Sequence, residues 1–374
     1  MPKILFFSNT SWFLYNFHLH LAQILRDHGN EIVLLAPCDE YSSRLEQEGF
    51  RWIDIRLSRR GMNLLKEGKS LFKLYQVYRQ ERPDIVHHFT VKSVLYGTIV
   101  ARLLGIRRIV NGISGLGYLF TNQGLVAQIL SRLLLFMYRG LLVQTTVIFE
   151  NRDDQEFFRK MGLVNPWKDF LVIGTGVDTI KFNFVPENNG VPIIVLPARL
   201  LWDKGVGEFV IAARQLKQEG IQARFVLVGN IDLGNPSAVP ETQLQGWIRE
   251  GVVEWWGWQE DMPSVLAQTH IVCLPSYREG VPKALLEAAS IGRPIVASNV
   301  PGCREVIKDG INGFLVPPKE PGQLAIALRK LINDSTLRGK MGASSRKLAV
   351  ERFDRRHITE QILAIYQSMS LPIR

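Results

Sequence analysis

A chain of 374 residues that is 46% hydrophobic and 21% charged exceeds one ordinary core and is too apolar for a disordered segment, so two globular domains of roughly 150–200 residues are expected. The formal net charge is +10, yet residues 51–149 alone carry 15 Lys/Arg against 4 Asp/Glu. That concentration points to a phosphorylated substrate, an anionic membrane or nucleic acid, or else to a solvated basic face. Cys38, Cys273 and Cys303 fit neither a metal pattern nor a disulfide framework, which favours a reducing cytosol.

The opening "MPKILFFSNTSW" lacks the charged region and the length of a signal peptide and reads as a first strand, 3–8. Further buried strands are expected at 31–36, 84–88, 107–111 and 145–149, with helices at 16–28, 66–81, 93–104 and 125–139 between them. Near-continuous apolar strands alternating with amphipathic helices predict a parallel, doubly wound sheet. The most apolar stretch, 125–149, is broken by Arg132 and Arg139, so a transmembrane span is not expected. Gly, Asn and Pro break the rhythm around 171–191, where a linker is placed. Strands then resume at 193–197, 223–229, 252–256, 271–275 and 294–298. Two such domains in tandem imply an α/β architecture with an interdomain cleft, and ligands bind at the carboxyl ends of the strands.

Two segments of the second half bear charged groups at such ends. In "SYREGVPKALLEAAS" a loop with Glu279 joins a strand to a helix holding Glu287, with Pro282 suited to the helix start. The free N–H groups there favour phosphate or sugar oxygens, and a loop carboxylate accepts hydroxyls. The plainer alternative makes Glu279 a helix-start acid and Glu287 a solvated residue. In "PARLLWDKGV", Arg199 and Lys204 stand where two cations neutralise a diphosphate, unless they are unrelated surface charges. The glycines of "NGISGLG" are in the wrong order for a dinucleotide fingerprint, and "GMNLLKEGKS" lacks the spacing and strand of a P-loop.

These residues carry a resemblance. "REGVPKALLE" resembles the E-x7-E signature of retaining glycosyltransferases of family 4, and "ARLLWDKG" resembles their Arg/Lys diphosphate clamp. "GTGVDTIKF" is similar to their linker, and "RPDIVHH", "LVGN" and "GCREVIKDGINGFLVPP" follow in the family's order. "SRRGMN", "VKSVLYG" and "ARLLWDKGVGEF" resemble in particular bacterial enzymes that add a sugar, GalNAc-like, to undecaprenyl-diphosphate-linked saccharides.

The resemblance implies the GT-B fold: two facing Rossmann-like domains, 1–172 for the acceptor and 191–356 for the nucleotide sugar, a linker at 173–190, and a final helix in 357–374 packing back on the first domain. It implies a UDP-sugar donor, with Glu287 on the ribose, Glu279 on a sugar hydroxyl, and Arg199 and Lys204 on the diphosphate. Backbone amides of Gly280, Val281 and Lys283 contact the rest, Pro282 contributes shape, and Trp258 borders the nucleobase. No Asp-x-Asp stands at a strand end, and "RDDQEFF" opens a helix, where acids serve as caps. Transfer without a metal or other cofactor is therefore expected.

In the first domain, acceptor contacts are assigned to Ser8, Asn9 and Thr10 after the first strand, to Arg59 and Lys92, and to His88 of the strand-end pair His87 and His88. Family members frequently have a histidine near Asn111 or Gly112; its absence here leaves no general base assigned. The apolar segment 116–139, with Tyr118, Leu119, Phe120, Leu134, Phe136 and Tyr138, either dips into a membrane interface or forms a buried helix. Trp255 and Trp256 are expected in the core. The expected setting is cytoplasmic, on the inner face of the cytoplasmic membrane, with no nucleic-acid partner. Two alternatives keep or drop the chemistry: a soluble enzyme of the same fold (a UDP-sugar epimerase or a transferase to a soluble acceptor), or a non-catalytic binder of anionic polymers or lipids.

Overall fold

The computed structural model describes residues 1–57, 64–115 and 125–369. The chain divides into two compact units, Met1–Thr175 with Ile358–Arg374, and Gly176–His357. From Gly176 onward, the segment expected as a linker belongs to the second unit.

Among the described residues the first unit holds a seven-stranded, all-parallel sheet. Its strands are β1 (Lys3–Phe7), β2 (Glu31–Ala36), β3 (Arg51–Asp54), β4 (Ile85–Phe89), β5 (Arg108–Ile113), β6 (Thr146–Phe149) and β7 (Asp169–Leu171). They lie in the order β3-β2-β1-β4-β5-β6-β7. Side chains alternate across a strand, so β1 feeds two cores. Ile4 and Phe6 pack with Leu21, Leu25 and the final helix, Arg355–Ser368, through Ile358, Ile362 and Tyr366. Leu5 and Phe7 pack on the other face with Leu74, Val77 and Val100. Each such side chain contributes ~1.5–3 kcal/mol on burial, and this two-sided burial explains why β1 reads as an unbroken apolar run.

The second unit has six parallel strands, β8 (Ile193–Pro197), β9 (Arg224–Val228), β10 (Glu254–Trp255), β11 (Ile271–Leu274), β12 (Ile295–Ser298) and β13 (Gly313–Val316). Their order is β10-β9-β8-β11-β12-β13. Adjacency of β8 and β11 brings the loops that follow them side by side at the carboxyl edge of the sheet. The order reverses direction between these two strands, the position at which open α/β sheets take ligands.

Candidate active site

The loop after β8 is anchored by Leu200 and Leu201, both buried, and by Trp202, whose ring meets Trp247 edge-on at 5.9 Å. A short 3-10 turn, Trp202–Lys204, ends at Gly205 with φ 73°. A Cβ on Gly205 would lie 2.1 Å from the Pro275 carbonyl oxygen, so this close approach to the loop after β11 requires glycine. The Tyr277 N–H donates to the Asp203 carbonyl at 2.9 Å and ties the two loops together.

Lys204 and Glu279 therefore meet: Nζ lies 2.5 Å from Oε1, in a pair largely shielded from solvent. Arg199 turns elsewhere, donating to Asp232 at 2.8 Å from a half-exposed position. Behind Glu279, Pro282 precedes the helix Lys283–Ile291, which ends at Gly292 in the left-handed region. The Gly280 and Val281 N–H groups have no hydrogen-bond partner among the described residues. Glu287 is buried on that helix, 3.8 Å from the Lys283 ammonium. Burial pushes its carboxyl above the ordinary range, against the pull of Lys283 and Lys181. Glu287 is thus no solvated surface acid. Trp258 is half-exposed beyond Gly257, whereas Trp255 and Trp256 are more covered and donate through their indole N–H groups to the Gly229 carbonyl and to Glu254.

In the first unit the proposed acceptor residues scatter in role. The Ser8 hydroxyl is buried at the end of β1 without a partner among the described residues. Asn9 is partly covered, and Thr10 caps the following helix by accepting from the Phe13 N–H at 3.0 Å. Lys92 is held 2.7 Å from Glu67, which also accepts from Tyr96. Arg59 falls outside the described residues, as do Tyr118, Leu119 and Phe120.

His88 is a correction. Its ring is wholly buried, with Nδ1 2.8 Å from Asn111 Oδ1 and Nε2 3.0 Å from Tyr78 Oη, so no nitrogen is left for a ligand. Burial holds it neutral, with its pKa lowered to about 4. In the helix Leu125–Leu142, Leu134 and Tyr138 are buried as a packed helix requires, while Ile129, Leu133 and Phe136 are exposed on its other side.

Part of the basic excess lies away from the proposed acceptor residues. Arg79, Arg82, Arg107, Arg108 and Lys168 line a hollow of about 900 Å³ at the amino-terminal ends of β4 to β6, the edge opposite Ser8 and Asn9.

The sequence reading missed Asp232, Gly302, His18 and Glu150. His18 and Glu150 line a small cavity at the carboxyl edge of the first sheet. Burial and the nearby Asp154 raise the Glu150 carboxyl to about 8. A folded-state pKa above the unfolded value of 4.5 gives stability that is full at low pH and lost as pH rises through about 8. His18 and His87, whose burial lowers their pKa, act on stability only below their ordinary 6.5. Glu150→Gln is expected to flatten the decline in unfolding free energy between pH 7 and 8.5, a slope of at most ~1.4 kcal/mol per pH unit for one proton. Urea unfolding at three pH values checks this; parallel curves for the two proteins would contradict it.

Residues 191–334 match the family model described as "Glycosyl transferases group 1", and residues 3–151 the one described as "Glycosyl transferase 4-like". The chain is 29% identical to the N,N'-diacetylbacillosaminyl-diphospho-undecaprenol alpha-1,3-N-acetylgalactosaminyltransferase of Campylobacter jejuni, over 97% of this chain and 98% of that one. It is 28% identical to the UDP-Gal:alpha-D-GlcNAc-diphosphoundecaprenol alpha-1,3-galactosyltransferase of Escherichia coli, over 83% of this chain and 82% of that one. Among solved structures, Anabaena HepE in complex with UDP-glucose superposes with a TM-score of 0.80 at 20% identity, covering 98% of this chain and 100% of that one. That likeness establishes the fold.

Proposed function

Because the chain belongs to the group 1 glycosyltransferases of the GT-B fold, we propose that it moves a hexose or N-acetylhexosamine from a UDP-sugar to a lipid-diphosphate-linked saccharide in bacterial surface-glycan assembly. The observation that carries this reading is the meeting of Lys204 and Glu279 on adjacent strand-end loops, beside open backbone N–H groups and ahead of a buried Glu287.

Glu287 accepts hydroxyls of the ribose, and Glu279 accepts a hydroxyl of the transferred sugar. The diphosphate draws Lys204 from Glu279 and Arg199 from Asp232, and the Gly280 and Val281 N–H groups complete its surroundings. As the bond from the anomeric carbon to the phosphate oxygen breaks, negative charge grows on that oxygen, and pre-placed cations stabilise it without reorganising solvent. The acceptor hydroxyl attacks from the same face, forms the new glycosidic bond, and passes its proton to the departing phosphate. Configuration is retained and UDP leaves protonated. Two side-chain cations fill the role a divalent ion has in other transferases, so the reaction is proposed to need none.

Contact with an anionic bilayer is supported by Ile129, Leu133 and Phe136, exposed at helical spacing beside Arg132 and Arg139. Among the described residues no helix is long and apolar enough to cross a membrane. The contact is therefore proposed as peripheral, at the inner face.

A panel of nucleotide sugars, each with and without a prenyl-diphosphate-linked saccharide, tests the assignment. UDP release that depends on the saccharide, survives chelator and yields a product of unchanged anomeric configuration is expected. A requirement for manganese would remove the metal-free mechanism. Interconversion of UDP-sugars without transfer would replace the reaction by epimerisation.

A further inference from the structure

We propose that the cavity between His18, His87 and Glu150 in the first unit receives one uncharged, hydroxyl-bearing group of the acceptor saccharide. This rests on the reading of the first unit as the acceptor side.

The cavity measures about 40 Å³, enough for a hydroxyl or hydroxymethyl group but not for a sugar ring. It opens at the ends of β4, β5 and β6, the edge where a sheet of this kind takes ligands. Among the described residues its walls hold a buried polar atom with nothing to bond. It is His18 Nε2, which is buried and has no hydrogen-bond partner among the described residues. The Glu150 carboxyl, partly covered, makes no hydrogen bond among the described residues. His87 is fixed through Nδ1, 2.6 Å from Tyr366 Oη, which leaves Nε2 toward Gly112, 3.6 Å from where a Cβ there would stand.

Each unsatisfied buried group costs ~1–3 kcal/mol, and folded proteins keep few of them without a use. The backbone adds to that cost. His18 closes a π-helical turn, Leu14–His18, inserted in an otherwise α-helical stretch, and such turns are rare and recur at functional sites. Its ring is then locked by stacking on Phe89 at 3.7 Å. At the tip of β4, Thr90 has φ 76°, a costly conformation for a β-branched residue.

The charge state selects the ligand. Burial keeps both imidazoles neutral and Glu150 protonated near pH 7, and the group facing Glu150 from the next helix is Asp154, itself buried. His20, Thr175 and Thr359 complete the polar wall. A phosphate or ammonium finds no counter-ion here, whereas a hydroxyl finds donors and acceptors.

Histidine-labelled protein titrated with a farnesyl-diphosphate-linked N-acetylhexosamine is expected to show shifts of the His18 and His87 ring resonances, and none with UDP alone. Glu150→Ala and His18→Phe are expected to raise the acceptor KM about tenfold, roughly the loss of one to two hydrogen bonds, with the donor KM within about twofold. The isosteric Glu150→Gln recovers most of the affinity, and melting curves identify any variant that has not folded. Unmoved histidine resonances at saturating acceptor, or an unchanged acceptor KM in both variants, would reduce the cavity to a water site and overturn the proposal. Shifted resonances in a protein that transfers no sugar would keep the cavity and remove the reaction; transfer with unmoved resonances would do the opposite.

Discussion

Lys204→Ala and Glu279→Ala are each expected to lower kcat for sugar transfer by at least ~100-fold, the scale of one lost transition-state contact in a water-poor site. The two side chains are each other's counter-ion, at 2.5 Å and largely shielded from solvent. In the proposed mechanism donor binding exchanges that pairing, the ammonium turning to the diphosphate and the carboxylate to a sugar hydroxyl. Lys204→Ala removes the cation and also leaves Glu279 without its partner, which costs more than the pair itself is worth. The double variant should consequently lose less than the product of the two single losses. Arg199→Ala is expected to do less harm, because its guanidinium starts half-exposed and bound to Asp232. Steady-state kinetics with kcat and KM determined separately decides the matter. Either single variant keeping more than about a tenth of wild-type kcat would remove that residue from the chemistry.

Gly302→Ala should be nearly as damaging, from a position that bears no chemistry. A Cβ built there lies 1.0 Å from the Gly280 carbonyl oxygen, and backbone on both sides prevents an easy retreat. The Gly302 N–H also donates to the Glu279 carbonyl at 3.3 Å. The loop that presents Glu279 must therefore shift, and a misplacement on the order of 1 Å costs about 100-fold in rate. Calorimetric binding of UDP should weaken at least about tenfold, and the melting temperature should fall with the strain of overpacking. Gly246→Ala is the matched control: its added methyl meets nothing within 4 Å, and alanine favours the surrounding helix. A Gly302→Ala protein with normal UDP affinity and turnover would show that the loop is free to move and that its close packing is incidental.

Much of this architecture was legible in the amino-acid order because parallel strands buried on both faces leave apolar runs, as at Ile4–Phe7 and Ile194–Leu196. Strands at or near a sheet edge leave a fainter trace. β3 is four residues that include Arg51 and Asp54, β7 begins at Asp169, and β13 follows the turn Gly310-Ile311-Asn312; none was anticipated. β10 is only Glu254–Trp255 where a five-residue strand was expected. The first helix begins at Ser11 rather than residue 16, since the Thr10 cap was read only as a loop. At the candidate site, the E-x7-E and Arg/Lys segments were legible because each is a local pattern at a strand-to-helix junction. Glu150 and His18 had no such signal: they are 132 positions apart and meet only through the strand order. His88 misled for a related reason. Its place at a strand end was visible, whereas its bonds to Tyr78 and Asn111 exist only once three elements have packed.

The final helix has a consequence for how the chain is made. His87 finds Tyr366 across 279 positions, and Ile358, Ile362 and Ile365 complete a core begun at Ile4. During synthesis, the unit that leaves the ribosome first is thus the one that finishes last, after Gly176–His357 has had the opportunity to form by itself. Until then its sheet exposes the apolar surface that this helix will cover, formed by residues such as Ile4, Phe6 and Phe89.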